Sequence, residues 1–312
     1  MNIIITGGLG FVGSHLVEQL SNEKNKITIF TKSKKKISNV SSLHKNLKIN
    51  VFDITKKTLL EKNIEKCKPD LIIHLAGQTS HSKSFERPIT DLEINSKSTL
   101  IILEKIRKMN KSCKFILGST FVVIGKPMKL PVTEESSCNP TTLYGANRLL
   151  SEHYCKIYHD LYGIDTKIFR ITNSFGPREQ IIPTKNAVNY LIHRAFQGKE
   201  ITIFDNGKFF RDFIYISDVI SGIKTIMKKG KSGNLYWISS GKKTWFHKFG
   251  NLLIKQTGTK IIFSTTPKYT KKVDVGNFVV SNIKLKKLGW KPKISLDEGI
   301  KLTLDHFQNF NN

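Results

Sequence analysis

The feature that most constrains the fold of this chain is a glycine cluster directly after its first apolar run. The stretch "IIITGGLGFVGSHLVEQL" passes from β-branched residues into a segment with helical apolar spacing. Four glycines occupy the turn between the two, namely Gly7, Gly8, Gly10 and Gly13. Glycine permits a tight turn and lets a helix pack closely on a strand. The pattern predicts a strand, a turn and a helix in immediate succession.

The first half of the chain repeats this alternation of strand and helix. Short runs rich in β-branched and aliphatic residues predict strands at 2–6, 26–30, 47–52, 70–76, 113–119 and 166–171. Helical spacing occurs between them, near 11–22, 56–67, 90–109 and 143–162. Apolar strands that alternate with helices are typical of a parallel sheet covered on both faces. The sequence therefore predicts an α/β fold with a doubly wound parallel (Rossmann) sheet.

The glycine spacing also indicates what the first turn binds. Gly8, Gly10 and Gly13 fit G-x-G-x-x-G, and Gly7, Gly10 and Gly13 fit the related G-x-x-G-x-x-G. A turn without side chains lets a pyrophosphate approach the free N–H groups at the helix N-terminus. We expect residues 1–172 to form an NAD(P)-binding domain. Residues 173–312, where the alternation loosens, are expected to form mainly a smaller C-terminal substrate-binding lobe, with later strands able to return to the first sheet.

The end of the second strand bears on the choice of cofactor. An acidic residue about 20 positions after the glycines would bind the ribose 2′-hydroxyl of NAD. Thr31 and Lys32 stand there instead, followed by Ser33 and Lys34. Hydroxyls and cations accept a 2′-phosphate that a carboxylate would repel. Both NAD and NADP are compatible with this segment, and its chemistry slightly favours NADP.

The composition narrows the possible partners. The net charge is +27, contributed mostly by lysines scattered along the 312 residues. Nucleic-acid modules concentrate cations and aromatic side chains on one element, so we expect no specific nucleic-acid partner. No apolar run approaches the roughly 20 residues that span a bilayer, and no signal peptide is recognisable. We expect a cytoplasmic protein with no membrane partner, four reduced cysteines and no metal.

Several stretches together resemble the extended short-chain dehydrogenase/reductase family, specifically its nucleotide-sugar epimerases and dehydratases. The stretches lie in the family's order along nearly the whole chain. They are "TGGLGFVG", "FDIT", "HLAGQTSHSKS", "LEIN", "STFVVIG", "YGANR", "RITNSFGPRE", "FFRDFIYISDV" and "LGWKPKISLDEGI". The resemblance implies a homodimeric enzyme that binds a nucleotide-diphosphate sugar.

The resemblance also implies roles for individual residues. Thr120, Tyr144 and Arg148 take the catalytic positions. The cofactor-binding positions are Gly7, Gly10, Phe11, Val12, Gly13, Thr31, Lys32, Asp53, Ile54, Leu75, Ala76, Gly77, Asn95, Tyr144 and Arg148. The substrate-binding positions are Gln78, His81, Ser84, Thr120, Asn173, Arg178 and Arg211, with the two arginines expected on the diphosphate side. From its own position, Asp218 is better interpreted as a helix N-terminal or structural acid.

Tyr144 and Arg148 are one helical turn apart, so the cation can lower the pKa of the phenol. Arg148 departs from the family lysine, and arginine replaces its charge more readily than its hydrogen bond to the nicotinamide ribose. This departure leaves open a non-catalytic dinucleotide-binding protein on the same fold.

A second departure concerns the reaction. Family dehydratases resemble one another in an Asp-Glu pair after the catalytic threonine, whereas this chain has Phe121 and Val122. Neither side chain can transfer a proton, so dehydration across C5–C6 is disfavoured. The sequence predicts a nucleotide-sugar epimerase, specifically a 4-epimerase, that oxidises the sugar transiently and returns the hydride. An NADP-dependent nucleotide keto-sugar reductase is the alternative, and His81 is a candidate additional acid or base.

Overall fold

The computed structural model describes residues 1–40, 47–109, 112–183 and 186–310. The strands in these ranges are β1 Asn2–Thr6, β2 Lys26–Thr31, β3 Leu47–Val51, β4 Leu71–His74, β5 Lys114–Thr120, β6 Thr166–Ile171, β7 Asn173–Phe175, β8 Ile201–Phe204, β9 Phe210–Arg211, β10 Phe213–Tyr215, β11 Leu235–Ile238, β12 Thr244–Trp245 and β13 Ile261–Ser264. The α-helices are α1 Phe11–Ser21, α2 Lys57–Cys67, α3 His81–Glu86, α4 Pro88–Leu92, α5 Ser98–Lys108, α6 Leu143–Tyr162, α7 Ala187–Phe196, α8 Ile216–Lys229, α9 Phe246–Thr257, α10 Lys268–Val273, α11 Ile283–Lys286 and α12 Leu296–Phe310.

Seven parallel strands form the central sheet in the order β11-β6-β5-β4-β1-β2-β3. β1 pairs with β2 on one side and with β4 on the other. The strand order therefore reverses between β1 and β4, and ligands of such sheets bind at the carboxyl ends of the strands beside this reversal. The predicted doubly wound parallel sheet is confirmed.

The apolar strands are buried on both faces, as the sequence predicts. Ile3 and Ile5 pack with α1 and α8 in one core, whereas Ile4 packs with α2, α5 and α6 in the other. Successive residues of a strand point to opposite faces, so one three-isoleucine run supplies both cores. Helices on both faces exclude water from the sheet and leave only its ends for binding.

After β6 the chain forms three small two-stranded sheets, which pair β10 with β7, β12 with β9, and β13 with β8. β11 lies among these segments in sequence but joins the edge of the central sheet beside β6. The later half of the chain is thus tied to the first sheet by a strand of its own.

The helix predicted over 90–109 is divided by a π-helical turn at Glu93–Lys97, between α4 and α5. A single π turn inside a helix is frequently found at functional sites, because it displaces the side chains on one face. Asn95 lies at its centre and is fully buried. Within the described ranges, no helix combines the length and apolar character needed to cross a membrane.

Candidate functional site

The glycine turn lies at the carboxyl end of β1. Gly7 has a φ of +69°, and a Cβ there would come within 2.9 Å of the Ala76 backbone nitrogen. A Cβ on Gly13 would overlap the Gly7 carbonyl oxygen. Helix α1 begins at Phe11, and no side chain from the described segments caps its N-terminus at Gly10. The first N–H groups of α1, including those of Phe11 and Val12, are thus suited to a phosphate ligand.

The predicted adenosine end of the site contains an ion pair. Lys32 Nζ lies 2.8 Å from Asp53 Oδ2, joining the loop after β2 to the loop after β3. Burial alone would raise the pKa of Asp53, but Lys32 and the Thr55 hydrogen bonds lower it below its usual value. The Thr31 hydroxyl donates to the Ser33 carbonyl at 2.9 Å, and Ile54 is buried beside Asp53. Lys32, whose charge favours a 2′-phosphate, is already paired with a carboxylate.

The loop after β4 approaches the π-helical turn. Leu75 and Ala76 follow the strand, and the Ala76 N–H donates to the Thr6 hydroxyl at 3.0 Å. Asn95 Nδ2 donates to the Gln78 carbonyl at 3.0 Å. Asn95 Oδ1 is buried and has no hydrogen-bond partner within the described part of the chain. A Cβ on Gly77 would come within 2.8 Å of this oxygen, so glycine keeps the space beside it open.

His74, at the end of β4, connects this loop to α5 through a buried hydrogen-bond chain. Its Nδ1 lies 2.7 Å from the Thr6 hydroxyl and its Nε2 lies 3.2 Å from the Ser98 hydroxyl. Ser98 donates its own proton to the Ile94 carbonyl, so Nε2 must carry the imidazole proton and Nδ1 must accept from Thr6. Burial, assisted by the charge of Arg148, lowers the pKa of His74 to about 3. The histidine is therefore neutral under physiological conditions.

Tyr144 and Arg148 both lie on α6 and are both buried. The helix begins with Thr142 as its N-cap, whose hydroxyl accepts from the Gly145 N–H at 3.1 Å. Arg148 Nη2 donates to the Gly118 carbonyl of β5. Its Nε and Nη1 are buried without a hydrogen-bond partner among the residues that the structure describes. Arg148 Nη1 and Asn95 Oδ1 lie on the same side of Gly77, 3.5 and 2.8 Å from where its Cβ would be, so a polar ligand there could pair with both.

Thr120 and Tyr144 are brought together at the end of β5. Burial raises the pKa of Tyr144, while the positive charge of Arg148 and a hydrogen bond with the Thr120 side chain act to lower it. The structure therefore gathers the three predicted catalytic side chains in one place. A phenol in this environment can exchange a proton with a bound alcohol only when the cation and the threonine stabilise its anion.

A residue that the sequence analysis missed supports this arrangement. Glu152, one turn after Arg148, accepts a 2.5 Å hydrogen bond from the Ser119 hydroxyl. Its carboxylate also forms a buried ion pair with Arg170, with a shortest distance of 2.6 Å. α6 thus holds Gly118 and Ser119, the two residues that precede Thr120. The i,i+4 spacing from Arg148 is the signal that could have identified it.

The predicted sugar loop folds around a second missed residue, Asp91. This buried carboxylate accepts hydrogen bonds from Gln78 at 2.8 Å and from Asn147 at 2.7 Å. His81 begins α3, and its ring packs edge-on against Tyr144 with the ring centroids 5.7 Å apart. The Ser84 hydroxyl is buried and donates to the His81 carbonyl at 2.7 Å, so its own donor is used within the helix.

The two predicted diphosphate arginines occupy different surroundings. Arg211 forms a bidentate ion pair with Asp274, both distances being 2.8 Å. Arg178 lies 2.7 Å from Glu18 of α1, so it contacts the helix that follows the glycine turn. Asn173 starts β7 and donates through its side chain to the Asp212 carbonyl at 3.3 Å. Each arginine is already neutralised by a carboxylate of this chain.

Asp218 has a structural contact, in keeping with its interpretation from sequence. Its carboxylate accepts from the backbone N–H groups of Lys293 and Ile294, at distances of 2.9 to 3.0 Å. It joins the first turn of α8 to the segment before α12.

The family model described as GDP-mannose 4,6 dehydratase matches residues 4–303. A putative UDP-glucose 4-epimerase from Methanocaldococcus jannaschii is 30% identical over 311 residues, covering 99% of each chain. The solved structure of UDP-glucose 4-epimerase with UDP-glucose from Thermotoga maritima has a TM-score of 0.92 at 30% identity and covers 100% of both chains.

A second solved structure, the UDP-glucose 4-epimerase of Thermus thermophilus in complex with NAD, has a TM-score of 0.89 at 26% identity and covers 99% of each chain. The match extends from the glycine turn to the last helix. The chain therefore belongs to the GDP-mannose 4,6 dehydratase family, within the nucleotide-sugar epimerases and dehydratases of the extended short-chain dehydrogenase/reductase group.

Proposed function

We propose that this protein is an NAD(P)-dependent nucleotide-sugar 4-epimerase. The observation that carries the proposal is the convergence of Thr120, Tyr144 and Arg148, with Asn95 Oδ1 near Arg148 and without a hydrogen-bond partner in the described ranges. The putative UDP-glucose 4-epimerase of Methanocaldococcus jannaschii and the UDP-glucose 4-epimerase of Thermotoga maritima, both 30% identical to this chain, support the reaction type.

The cofactor site fits a dinucleotide. The glycine turn would hold the pyrophosphate, Asp53 and Ile54 would lie near the adenosine, and Asn95, Tyr144 and Arg148 would lie near the nicotinamide ribose. A bound nicotinamide would supply the reversible hydride transfer with the sugar carbon. The proposal includes both NAD and NADP. Lys32 is paired with Asp53 and would have to leave this carboxylate to bind the 2′-phosphate of NADP.

The side chains supply the proton transfer. In the proposed mechanism, Tyr144 takes the proton of the sugar C4 hydroxyl during oxidation. It returns the proton after the keto-sugar has rotated in the site and presents its opposite face. Thr120 donates to the Tyr144 oxygen, and Arg148 stabilises the phenolate through its charge. Asn173 and Arg211 would hold the diphosphate, with the substrate lobe assigned mainly to residues 173–312. Arginine suits this task because its planar donors match phosphate oxygens.

The residues after Thr120 argue for epimerisation over dehydration, despite the name of the family model. Phe121 packs against Phe278 with ring centroids 5.1 Å apart, and Val122 is buried. These side chains have no group that could protonate a leaving hydroxyl. The reaction we propose needs no second proton donor of that kind.

We also propose a homodimer. Ile157 and Leu161 of α6 are 46% and 70% exposed, and Ile89 of the adjoining α4 is 69% exposed. A contiguous exposed apolar patch is typical of an interface, and Ile157 and Leu161 lie one turn apart on the same face of α6. Light scattering of the purified protein measures its mass in solution directly.

The reaction is tested by incubating the protein with NAD and UDP-glucose and following UDP-galactose by NMR. We expect interconversion that falls by roughly 100- to 10,000-fold in Tyr144→Phe, the loss expected for removing a general acid–base. UDP-, GDP-, CDP- and dTDP-sugars that all remain unchanged, although cofactor is bound, would contradict the proposal. Turnover that appears only in Arg148→Lys would instead support the non-catalytic alternative.

A further inference from the structure

Asp91 is a buried carboxylate on α4, a short helix that packs against α6. Only 1% of this residue is exposed. Its Oδ1 accepts a hydrogen bond from Gln78 Nε2 at 2.8 Å, and its Oδ2 accepts one from Asn147 Nδ2 at 2.7 Å. Because an amide NH2 group can only donate, both oxygens act as acceptors, as in an ionised carboxylate. The two amides are neutral and supply no charge that opposes the negative charge of Asp91.

The contact with Gln78 fixes the loop that follows β4. Gln78 Nε2 also donates to the Ser80 carbonyl at 2.8 Å, and Gln78 Oε1 accepts from the Ser80 N–H at 2.5 Å. The Gln78 carbonyl accepts from Asn95 of the π-helical turn. Ser80 in turn caps α3, which begins at His81. Through one amide, Asp91 thus holds the segment that places His81 and Asn95 in the site.

The contact with Asn147 brings the negative charge close to Tyr144. Asn147 lies three residues after Tyr144 on α6, so the two side chains share one face of the helix, about one turn apart. A carboxylate bound to Asn147 is therefore near the phenol. Asp91 and Tyr144 are both buried, and charges interact more strongly in a protein interior than in water.

Tyr144 is faced by side chains from α3, α4 and β5 as well as from its own helix. Burial is the main cause of its raised pKa, and Asp91 adds to the increase, whereas Arg148 and the hydrogen bond with Thr120 act to lower it. His81 of α3 contacts the ring, but burial lowers the pKa of this imidazole, which is therefore neutral at neutral pH. The phenol lies between a buried cation and a buried anion.

We propose that Asp91 is a positioning residue of this site: its carboxylate fastens the loop after β4 to α6, and its negative charge opposes that of Arg148 at the Tyr144 oxygen. The inference rests on the proposed function and deepens it by naming what limits the effect of the cation. A phenolate stabilised by Arg148 alone would be a weak base toward a sugar hydroxyl. The nearby anion offsets part of this stabilisation and keeps the phenolate basic enough to take up a proton.

The test compares plots of kcat against pH for UDP-glucose epimerisation by the full chain with NAD. Asp91→Asn removes the charge and keeps the shape, and the Asn147 amide can turn to accept from the new NH2 group. The acid limb of this variant should move about one pH unit toward lower pH, because the phenolate loses a nearby negative charge. Glu93→Gln is the matched control. It removes an acid whose side chain is 37% exposed and paired with Lys97, and it should leave the acid limb in place.

A second measurement does not depend on turnover. The NMR signal of the Tyr144 Cζ carbon, assigned by its loss in Tyr144→Phe, reports the ionisation of the phenol in the NAD complex. Its titration midpoint should lie about one pH unit lower in Asp91→Asn than in the wild-type protein. A wild-type protein that binds NAD and converts no nucleotide sugar would contradict the proposed function, whereas this midpoint would still decide the role of Asp91.

The inference is overturned if the midpoint is the same in Asp91→Asn and the wild-type protein, or if Glu93→Gln shifts it equally. A loss of kcat without any shift of the acid limb also overturns it, because Asp91 would then act only through the fold. Should Asp91→Asn not fold, as judged from its melting temperature, Asp91→Ser gives the same comparison. Its hydroxyl can accept a hydrogen bond from one amide and carries no charge.

Discussion

The proposed cofactor side and the proposed substrate side of the cleft differ in how their arginines are paired. On the cofactor side, Asn95 Oδ1 and two nitrogens of Arg148 are buried without partners in the described ranges. On the substrate side, Arg178 and Arg211 are already bound to Glu18 and Asp274. The arginine of the first side thus keeps hydrogen-bond donors without partners, whereas both arginines of the second side are held in ion pairs.

This difference predicts how each ligand gains its affinity. A ligand on the cofactor side adds hydrogen bonds to atoms that have paid the cost of burial, so each new bond contributes fully. A diphosphate on the substrate side must exchange with Asp274 or Glu18, and only the difference between two ionic contacts remains. We therefore expect the cofactor to bind to preformed hydrogen-bonding groups, and the diphosphate to bind by replacing a carboxylate.

The largest expected effect comes from removing the cation on the cofactor side. Arg148→Met should lower kcat by roughly 100-fold at neutral pH, because the anion of Tyr144 loses its nearest positive charge. The pKa of Tyr144 rises as a result. Because the reaction needs the phenolate form of Tyr144, a higher pKa means that a higher pH is required for activity. The acid limb of the plot of kcat against pH therefore moves to higher pH.

Arg148→Lys is the matched control, since it keeps the charge and gives up the contact with Gly118. Its acid limb should stay close to that of the wild-type protein. A profile for Arg148→Met that coincides with the wild type would show that the charge has no part in activating Tyr144.

A smaller effect is expected for the arginines of the substrate side, and it should be unequal. Arg211→Met should weaken UDP binding about tenfold, as measured by calorimetry. The variant loses a charge-assisted hydrogen bond to the diphosphate, but the diphosphate no longer has to displace Asp274, which limits the loss. Arg178→Met should change the affinity by less than about threefold, because the proposed diphosphate site consists of Asn173 and Arg211, whereas Arg178 contacts Glu18 of α1. Melting temperatures of both variants check that the fold is intact. Equal losses at the two positions would mean that both arginines reach the diphosphate.

The smallest effect concerns stability and His74. Its pKa of about 3 in the folded protein lies below the ordinary value of 6.5. The unfolded chain therefore takes up a proton below pH 6.5 that the folded protein does not, and stability falls as the pH decreases from 6.5 toward 3. Between pH 7 and pH 5 this group should cost about 2 kcal/mol.

Denaturant unfolding at the two pH values measures this loss. His74→Gln cannot take up the proton, so it should lose about 2 kcal/mol less than the wild-type protein between pH 7 and pH 5. His153→Gln, at an exposed position of α6, serves as the control and should follow the wild type. Equal losses in all three proteins would show that His74 is protonated in the folded state.

The sequence predicts the central sheet well because its signals are local. The run of Ile3 to Ile5, the glycine turn and the spacing of Tyr144 and Arg148 each depend on neighbours within a few residues. Ion pairs between distant segments leave no such pattern, which is why the pairing of Arg178 with Glu18 and of Arg211 with Asp274 was not predicted. Whether the proposed site residues act as assigned stays a prediction.

The π-helical turn at Glu93–Lys97 was missed for a related reason. Its residues have ordinary helical spacing, and the extra residue in the turn is accommodated by tertiary contacts. One such contact is the hydrogen bond from the Ser151 hydroxyl of α6 to the Asn95 carbonyl. The sequence predicts the helix but contains no local signal for its interruption.

The attachment of α6 to β5 has a mechanical consequence. Two successive turns of one helix grip consecutive residues of one strand, through Arg148 on Gly118 and Glu152 on Ser119. These two hydrogen bonds couple the position of α6, which carries Tyr144, to the end of β5, which carries Thr120. A subunit contact at the later turns of α6, around Ile157 and Leu161, would therefore also restrict the positions of Tyr144 and Thr120.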